Sequence, residues 1–138
     1  MNETVEKAVE YFSNKHFCSQ AILCAFCEKY GLDKETAFKI SSGLNSGLRN
    51  AEVCGAVSGA VLVIGLKYGA SKGICNAKTE EFMNHFRDKH KSVVCRDLLG
   101  CDISTPDGRN MAIKDNLFRT RCPDLVRSAA QSLIDLGY

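Results

Sequence analysis

Apolar residues recur at helical spacing along nearly the whole chain. Val5, Ala8, Val9 and Phe12 follow the i, i+3, i+4, i+7 pattern of a first amphipathic helix. Ile22, Leu23, Phe26, Cys27 and Tyr30 give a second stripe, closed by Gly31 as a C-cap. Asp33 is placed to cap a third helix that runs through Ala37 and Ile40 and ends near Gly43. Residues 43–51 form a Gly/Ser/Asn-rich connector containing Arg49. The next segment, from about Cys54 to Tyr68, is apolar nearly all round and predicts a buried central helix, with Gly69 beyond its end. Each glycine inside a helix costs about 1 kcal/mol against alanine. Gly55, Gly59 and Gly65 therefore predict that another element comes close to this helix.

Phe82, Met83, Phe86 and His90 mark a fifth helix, and a short piece from Cys95 to Leu99 is closed by Gly100. Asp102 to Gly108, with its Pro106-Asp107-Gly108 turn signal, reads as a loop. The final helix has Cys122 as N-cap and Pro123 at its first position, then a stripe of Leu125, Val126, Ala129, Ala130, Leu133 and Ile134. No alternating pattern long enough for a strand is present. The fold expected is all-α, a single domain over residues 1–138, with about five to six helices around the central one at about 54–68.

Composition narrows the function classes. The 138 residues carry 18 basic and 16 acidic side chains, a net charge of +2, dispersed without any Lys/Arg tract. That speaks against nucleic acid as a partner. The polar start Met1-Asn2-Glu3-Thr4 lacks the features of a signal peptide. The most apolar run, Val53 to Leu66, is about 14 residues, short of the roughly 20 that cross a bilayer. A cytoplasmic protein without membrane insertion is expected. In a reducing compartment, eight cysteines point to metal binding or redox work rather than a disulfide framework.

Four of those cysteines sit at predicted helix starts: Cys18, Cys54, Cys95 and Cys122. The free amides and positive dipole end of a helix N-terminus favour thiolate, the form that binds metal or attacks a disulfide. Within this set, Cys54-Gly55-Ala56-Val57-Ser58-Gly59 reads as Cys-Gly-Ala-x-x-Gly, preceded by Cys18-Ser19-Gln20-Ala21 and followed by single cysteines at 95 and 122. This ordered set resembles the C_GCAxxG_C_C family of redox-active proteins over nearly the whole chain. It also resembles a module of split-Soret cytochromes that is associated with an iron–sulfur site. The resemblance implies a small redox-active protein; without Cys-x-x-Cys-His, covalent c-type haem does not carry over.

Thiolates suit iron–sulfur clusters, zinc and copper(I). The four cysteines lie about 27 to 41 residues apart, unlike the paired knuckles of structural zinc. The leading expectation is electron transfer through an iron–sulfur cluster held by Cys18, Cys54, Cys95 and Cys122. A metal-free thiol–disulfide oxidoreductase with Cys54 as nucleophile is the second reading. A helical zinc-binding or interaction module without redox activity is the third. The redox partner is not identified by the sequence, and glycine on the central helix is compatible with a homodimer as well as with internal packing.

The other candidates read mainly as structure. Cys24 and Cys27 lie mid-helix, where core packing accounts for them, and nothing is assigned to Cys75 or Cys101. His90 falls on an apolar stripe, and neither it nor His85 has metal-ligand spacing with a glutamate. His16, two residues before Cys18, is a candidate to perturb that thiol. Arg49 and Arg96 are candidates to stabilise thiolates, with solvated surface charge as the alternative.

Overall fold

The computed structural model describes residues 2–138, and among them the chain is helical without a strand. Helix α1 (Glu3–Ser13) is capped by Asn2, whose side chain accepts from the amides of Thr4 and Val5. Helix α2 (Cys18–Phe26) continues into a 3₁₀ turn that ends at Gly31 in the left-handed conformation, as the sequence predicts. Helix α3 (Lys34–Ser41) is capped by Asp33. Helix α4 (Gly55–Tyr68) follows, with Cys54 as its N-cap residue. It leads to α5 (Lys72–His90), α6 (Cys95–Leu99) and α9 (Cys122–Asp135).

Two elements were not expected. Helix α7 (Pro106–Lys114) occupies part of the predicted Asp102–Gly108 loop, and α8 (Leu117–Thr120) follows it. Pro106-Asp107-Gly108 is the first turn of α7: Thr105 accepts from the Gly108 amide, and proline fits an opening position whose amide has no partner. The turn signal was a helix start. Helix α9 begins one residue earlier than expected, with Arg121 at the cap and Cys122 as its first residue.

Helix α4 is the centre of the bundle, packed by α2 on one side and by α5 and α9 on others. Gly55, Ala56, Val57, Gly59, Ala60, Val63 and Ile64 are buried, whereas Val61, Leu62 and Leu66 are half-buried, so one side is only partly covered. The close approach its glycines predict holds at two of three. A Cβ on Gly59 would lie 2.7 Å from the Ser19 carbonyl oxygen and 3.1 Å from the Ile22 Cβ, which fixes α2 directly against α4. Gly65 has open space around it and no such reason. Ser19 ties α2 to α3 by donating to the Ser41 carbonyl at 2.7 Å inside the core.

The apolar side chains fall into two clusters. The main one joins α1, α2, α4, α5 and α9 around Phe26, Phe82 and Phe86. A smaller one gathers Ala51, Cys95, Leu99, Ile103 and Ala112 under α6 to α8. The candidate site lies where the two meet.

Candidate functional site

A cavity of about 240 Å³ opens between the two clusters, and Cys18, Cys54, Cys95 and Cys122 all line it. Each stands at the beginning of a different helix: α2, α4, α6 and α9. Cys54 belongs to the main cluster with Cys18 packed against it, whereas Cys95 and Cys122 belong with the smaller one. The cysteines are free thiols.

Cys54 and Cys95 are set side by side by the backbone. Val53 and Val94 form an antiparallel bridge, with the Cys54 amide donating to the Val93 carbonyl at 2.8 Å and the Cys95 amide to the Glu52 carbonyl at 2.5 Å. The Arg96–Glu52 ion pair at 2.8 Å reinforces this junction. Arg96 thus spends its charge on a carboxylate as well as favouring the Cys95 thiolate. Cys18 is brought up by the thinness of α4: a Cβ on Gly55 would collide with Cys18 Sγ and lie 3.1 Å from the Leu44 carbonyl oxygen. The two glycines of the Cys-Gly-Ala-x-x-Gly string thus have separate tasks. Gly55 makes room for a sulfur and Gly59 for a helix.

The predicted connector is an unusual piece of backbone. Ser46, Gly47, Leu48 and Arg49 have φ of 54°, 63°, 60° and 59°, four consecutive residues in the left-handed region. Only glycine adopts that region freely; other residues are strained by about 1–2 kcal/mol each. Asn45, Ser46 and Arg49 line the cavity. Arg49 donates back to Asn45 Oδ1 and Ser46 Oγ, both at 3.3 Å, across the turn it belongs to.

Burial governs the thiols. It pushes Cys18 up, aided by negative charge at Cys54 and Cys122 and opposed by the Ser46 amide. Cys95 and Cys122 are each pushed up to about 12, by burial first and then by charge at Cys54. Cys54 is raised by burial too, but the amides of Val57 and Ala56 and the Arg121 guanidinium favour its anion. Those amides act on the sulfur electrostatically, without closing a formed cap hydrogen bond. Helix-start amides thus favour the thiolate at Cys54 alone of the four, and desolvation outweighs them there, while at Cys18, Cys95 and Cys122 desolvation and mutual repulsion both oppose the anion. Left alone, these thiols stay protonated at neutral pH.

Cys101 is the cysteine that sequence reasoning passed over. It packs in the smaller cluster with Cys95 and Cys122, and its charge raises both. Its position in the chain gave no sign of this. Arg109 was missed in the same way: it lines the cavity with its guanidinium 5.9 Å from the Phe118 ring centre. Cys24 and Cys27 are in the core, where Cys27 Sγ donates to the Cys24 carbonyl and burial pushes Cys24 up to about 11. Cys75 packs on the outside of that core.

His16 also lines the cavity, with its ring between Tyr11 and Phe38 at centroid distances of 5.5 and 4.4 Å. His85 pairs with Ser132 at 3.1 Å. His90 pairs with Ser128 at 2.6 Å while leaning on Phe86, so both tie α5 to α9.

The donor set is four sulfurs around a space rather than around a point. Among the described residues no three His, Cys, Asp or Glu side chains converge as closely as a single metal ion requires. Four thiols lining one cavity are the donor type that soft metals and iron–sulfur clusters take.

A family model described as "Putative redox-active protein (C_GCAxxG_C_C)" matches residues 16–136. No curated protein and no solved structure matches the chain.

Proposed function

The chain belongs to the C_GCAxxG_C_C family, and from that premise we propose that it is an electron-transfer protein in which Cys18, Cys54, Cys95 and Cys122 hold an iron–sulfur cluster. The observation that carries this reading is the convergence of four thiols, from four helix starts, on one cavity. When bound, such a cluster supplies one-electron redox chemistry at a potential set by its surroundings.

The chain's own groups account for how the site would be prepared. The Ser46 amide acts on Cys18, and the Ala56 and Val57 amides on Cys54, so backbone dipoles lower the cost of holding negative sulfur. Arg121 favours the anions of Cys54 and Cys122 and is itself anchored by donating Nε–H to the Leu98 carbonyl at 3.2 Å. Phe12, Leu99, Ile103 and Leu125 wall the cavity with apolar surface and limit water at the sulfurs. Because the free thiols are protonated at neutral pH, loading the site releases protons.

The raised thiols also weigh against the metal-free alternative. A thiol–disulfide enzyme needs one thiolate available for attack near neutral pH. Burial opposes that at all four positions. A reducing compartment, such as the cytoplasm, suits either reading. Among the described residues no helix is long and apolar enough to cross a membrane.

The test is a set of single variants reconstituted anaerobically with iron and sulfide. Cys18→Ser, Cys54→Ser, Cys95→Ser and Cys122→Ser should each lose most of the bound iron, while Cys75→Ser retains it. Full iron in all four variants would refute the ligand assignment. A reversible disulfide among these cysteines, trapped from cells and identified by mass spectrometry in an iron-free protein, would support the thiol–disulfide reading instead.

A further inference from the structure

A redox site in a cavity exchanges electrons through the cavity's mouth, and here the mouth has a distinct character. Phe17, 44% exposed, lines it at the N-cap of α2, one residue before Cys18. Among the described residues, Arg49 and Arg109 supply its two guanidinium groups and no acidic side chain lines the cavity. Neither arginine forms an ion pair among the described residues, whereas Arg96 and Arg127 are paired with Glu52 and Glu6. Both are nonetheless held in place, Arg49 by Asn45 and Ser46, Arg109 over the Phe118 ring.

Leu48 completes the picture. It sits next to Arg49 in the strained left-handed turn, yet its side chain is 56% exposed. The core does not use this leucine, and local propensity disfavours it at φ 60°. Backbone strain that displays an apolar and a cationic side chain at the edge of a cavity is of the kind found at functional sites. An aromatic side chain together with arginines in one accessible patch also matches the composition of protein interfaces.

We propose that this mouth, lined by Phe17, Arg49 and Arg109 with exposed Leu48 next to Arg49 in the chain, is the docking surface for an acidic electron-transfer protein. The inference rests on the redox reading above and adds the partner's chemistry: carboxylates to meet the two unpaired guanidinium groups, around a small apolar contact. Like charge opposes the same mouth on a second copy of this chain. A weak, transient interface of small area is expected, with electrostatic steering carrying much of its association rate.

The test uses oxidised acidic flavodoxin as the probe and the protein as purified anaerobically, with binding read by calorimetry. Binding is expected at low salt and should weaken by about tenfold or more at high ionic strength. Arg49→Glu and Arg109→Glu should each weaken it by about tenfold, and Leu48→Ser by less. Lys72→Glu, at an exposed position that begins α5 beyond the opposite end of α4, should leave it unchanged. No binding, equal loss with Lys72→Glu, no response to either arginine reversal, or self-association through the mouth in sedimentation would each overturn the proposal. Docking is read without electron transfer, so an iron-free preparation would defeat the cofactor assignment and leave this result to stand or fall separately.

Discussion

Gly55 is empty where the sulfur of Cys18 sits: a Cβ at this position would collide with Cys18 Sγ and press on the Leu44 carbonyl. Gly55→Ala should therefore destabilise the protein by about 1–3 kcal/mol, the usual cost of overpacking. Gly65→Ala, on the same helix with nothing within 4 Å, should stabilise it by about 0.4–1 kcal/mol. Urea denaturation of the two variants without cofactor checks the pair. A loss of equal size in both would mean that helix propensity, not the cysteine, sets the requirement for glycine.

The left-handed turn gives a second prediction. Leu48→Gly removes a strained, exposed side chain from a position that glycine adopts freely, so thermal stability should rise by about 0.5–1 kcal/mol. Arg49→Ala should do the reverse, because it loses the two contacts that hold Asn45 and Ser46 in the turn. Thermal melts of both variants measure this, and destabilisation by Leu48→Gly would show that the leucine is packed in a way its exposure does not reveal.

These positions also show what was legible in the sequence. Helical periodicity carried the main bundle, the Asp33 and Gly31 caps, and the central place of α4, because those signals are local. The four helix-start cysteines were legible for the same reason. What joins them was not. The Val53–Val94 bridge pairs residues 41 apart, and nothing in either valine announces it. Helix α7 was hidden because proline and glycine in its first turn mimic a loop, and its Met111 and Ile113 are exposed rather than part of a buried stripe. Arg109 reaches the cavity from that unpredicted helix, and Cys101, just ahead of it, packs in the smaller cluster beside the site, so both were missed.

Dependence on pH follows from His90. Burial, then the charges of Arg121 and Lys89, hold its folded-state pKa below the ordinary value of about 6.5. A depressed pKa means that the neutral ring is the form the fold accepts. The stabilisation is fully present above about pH 6.5 and is lost as pH falls through the lower folded value. Between about pH 7 and 5 the denaturation midpoint should fall, and His90→Gln should flatten that dependence while keeping a partner for Ser128. An unchanged slope in the variant would assign the acid sensitivity to other groups.

The backbone junction beside the site gives a fourth prediction. Glu52→Gln removes the charge that pairs Arg96 at a half-exposed position, so the stability change should stay within about 1 kcal/mol. The freed guanidinium would favour anionic sulfur at Cys95 more strongly. The reduction potential of the loaded protein should therefore rise relative to the parent, measured by spectroscopic redox titration. A fall in potential would contradict that electrostatic role.

The central claim is that four cysteines from four helix starts hold a redox-active cluster in one cavity. The direct measurement is the visible spectrum, with iron and acid-labile sulfide content, of protein purified without exposure to air. A brown protein is predicted, with stoichiometric iron and sulfide and a visible band that bleaches on reduction with dithionite and is absent in Cys54→Ser. A colourless, iron-free protein from anaerobically grown cells, with every thiol accounted for as free or disulfide-bonded, would contradict it.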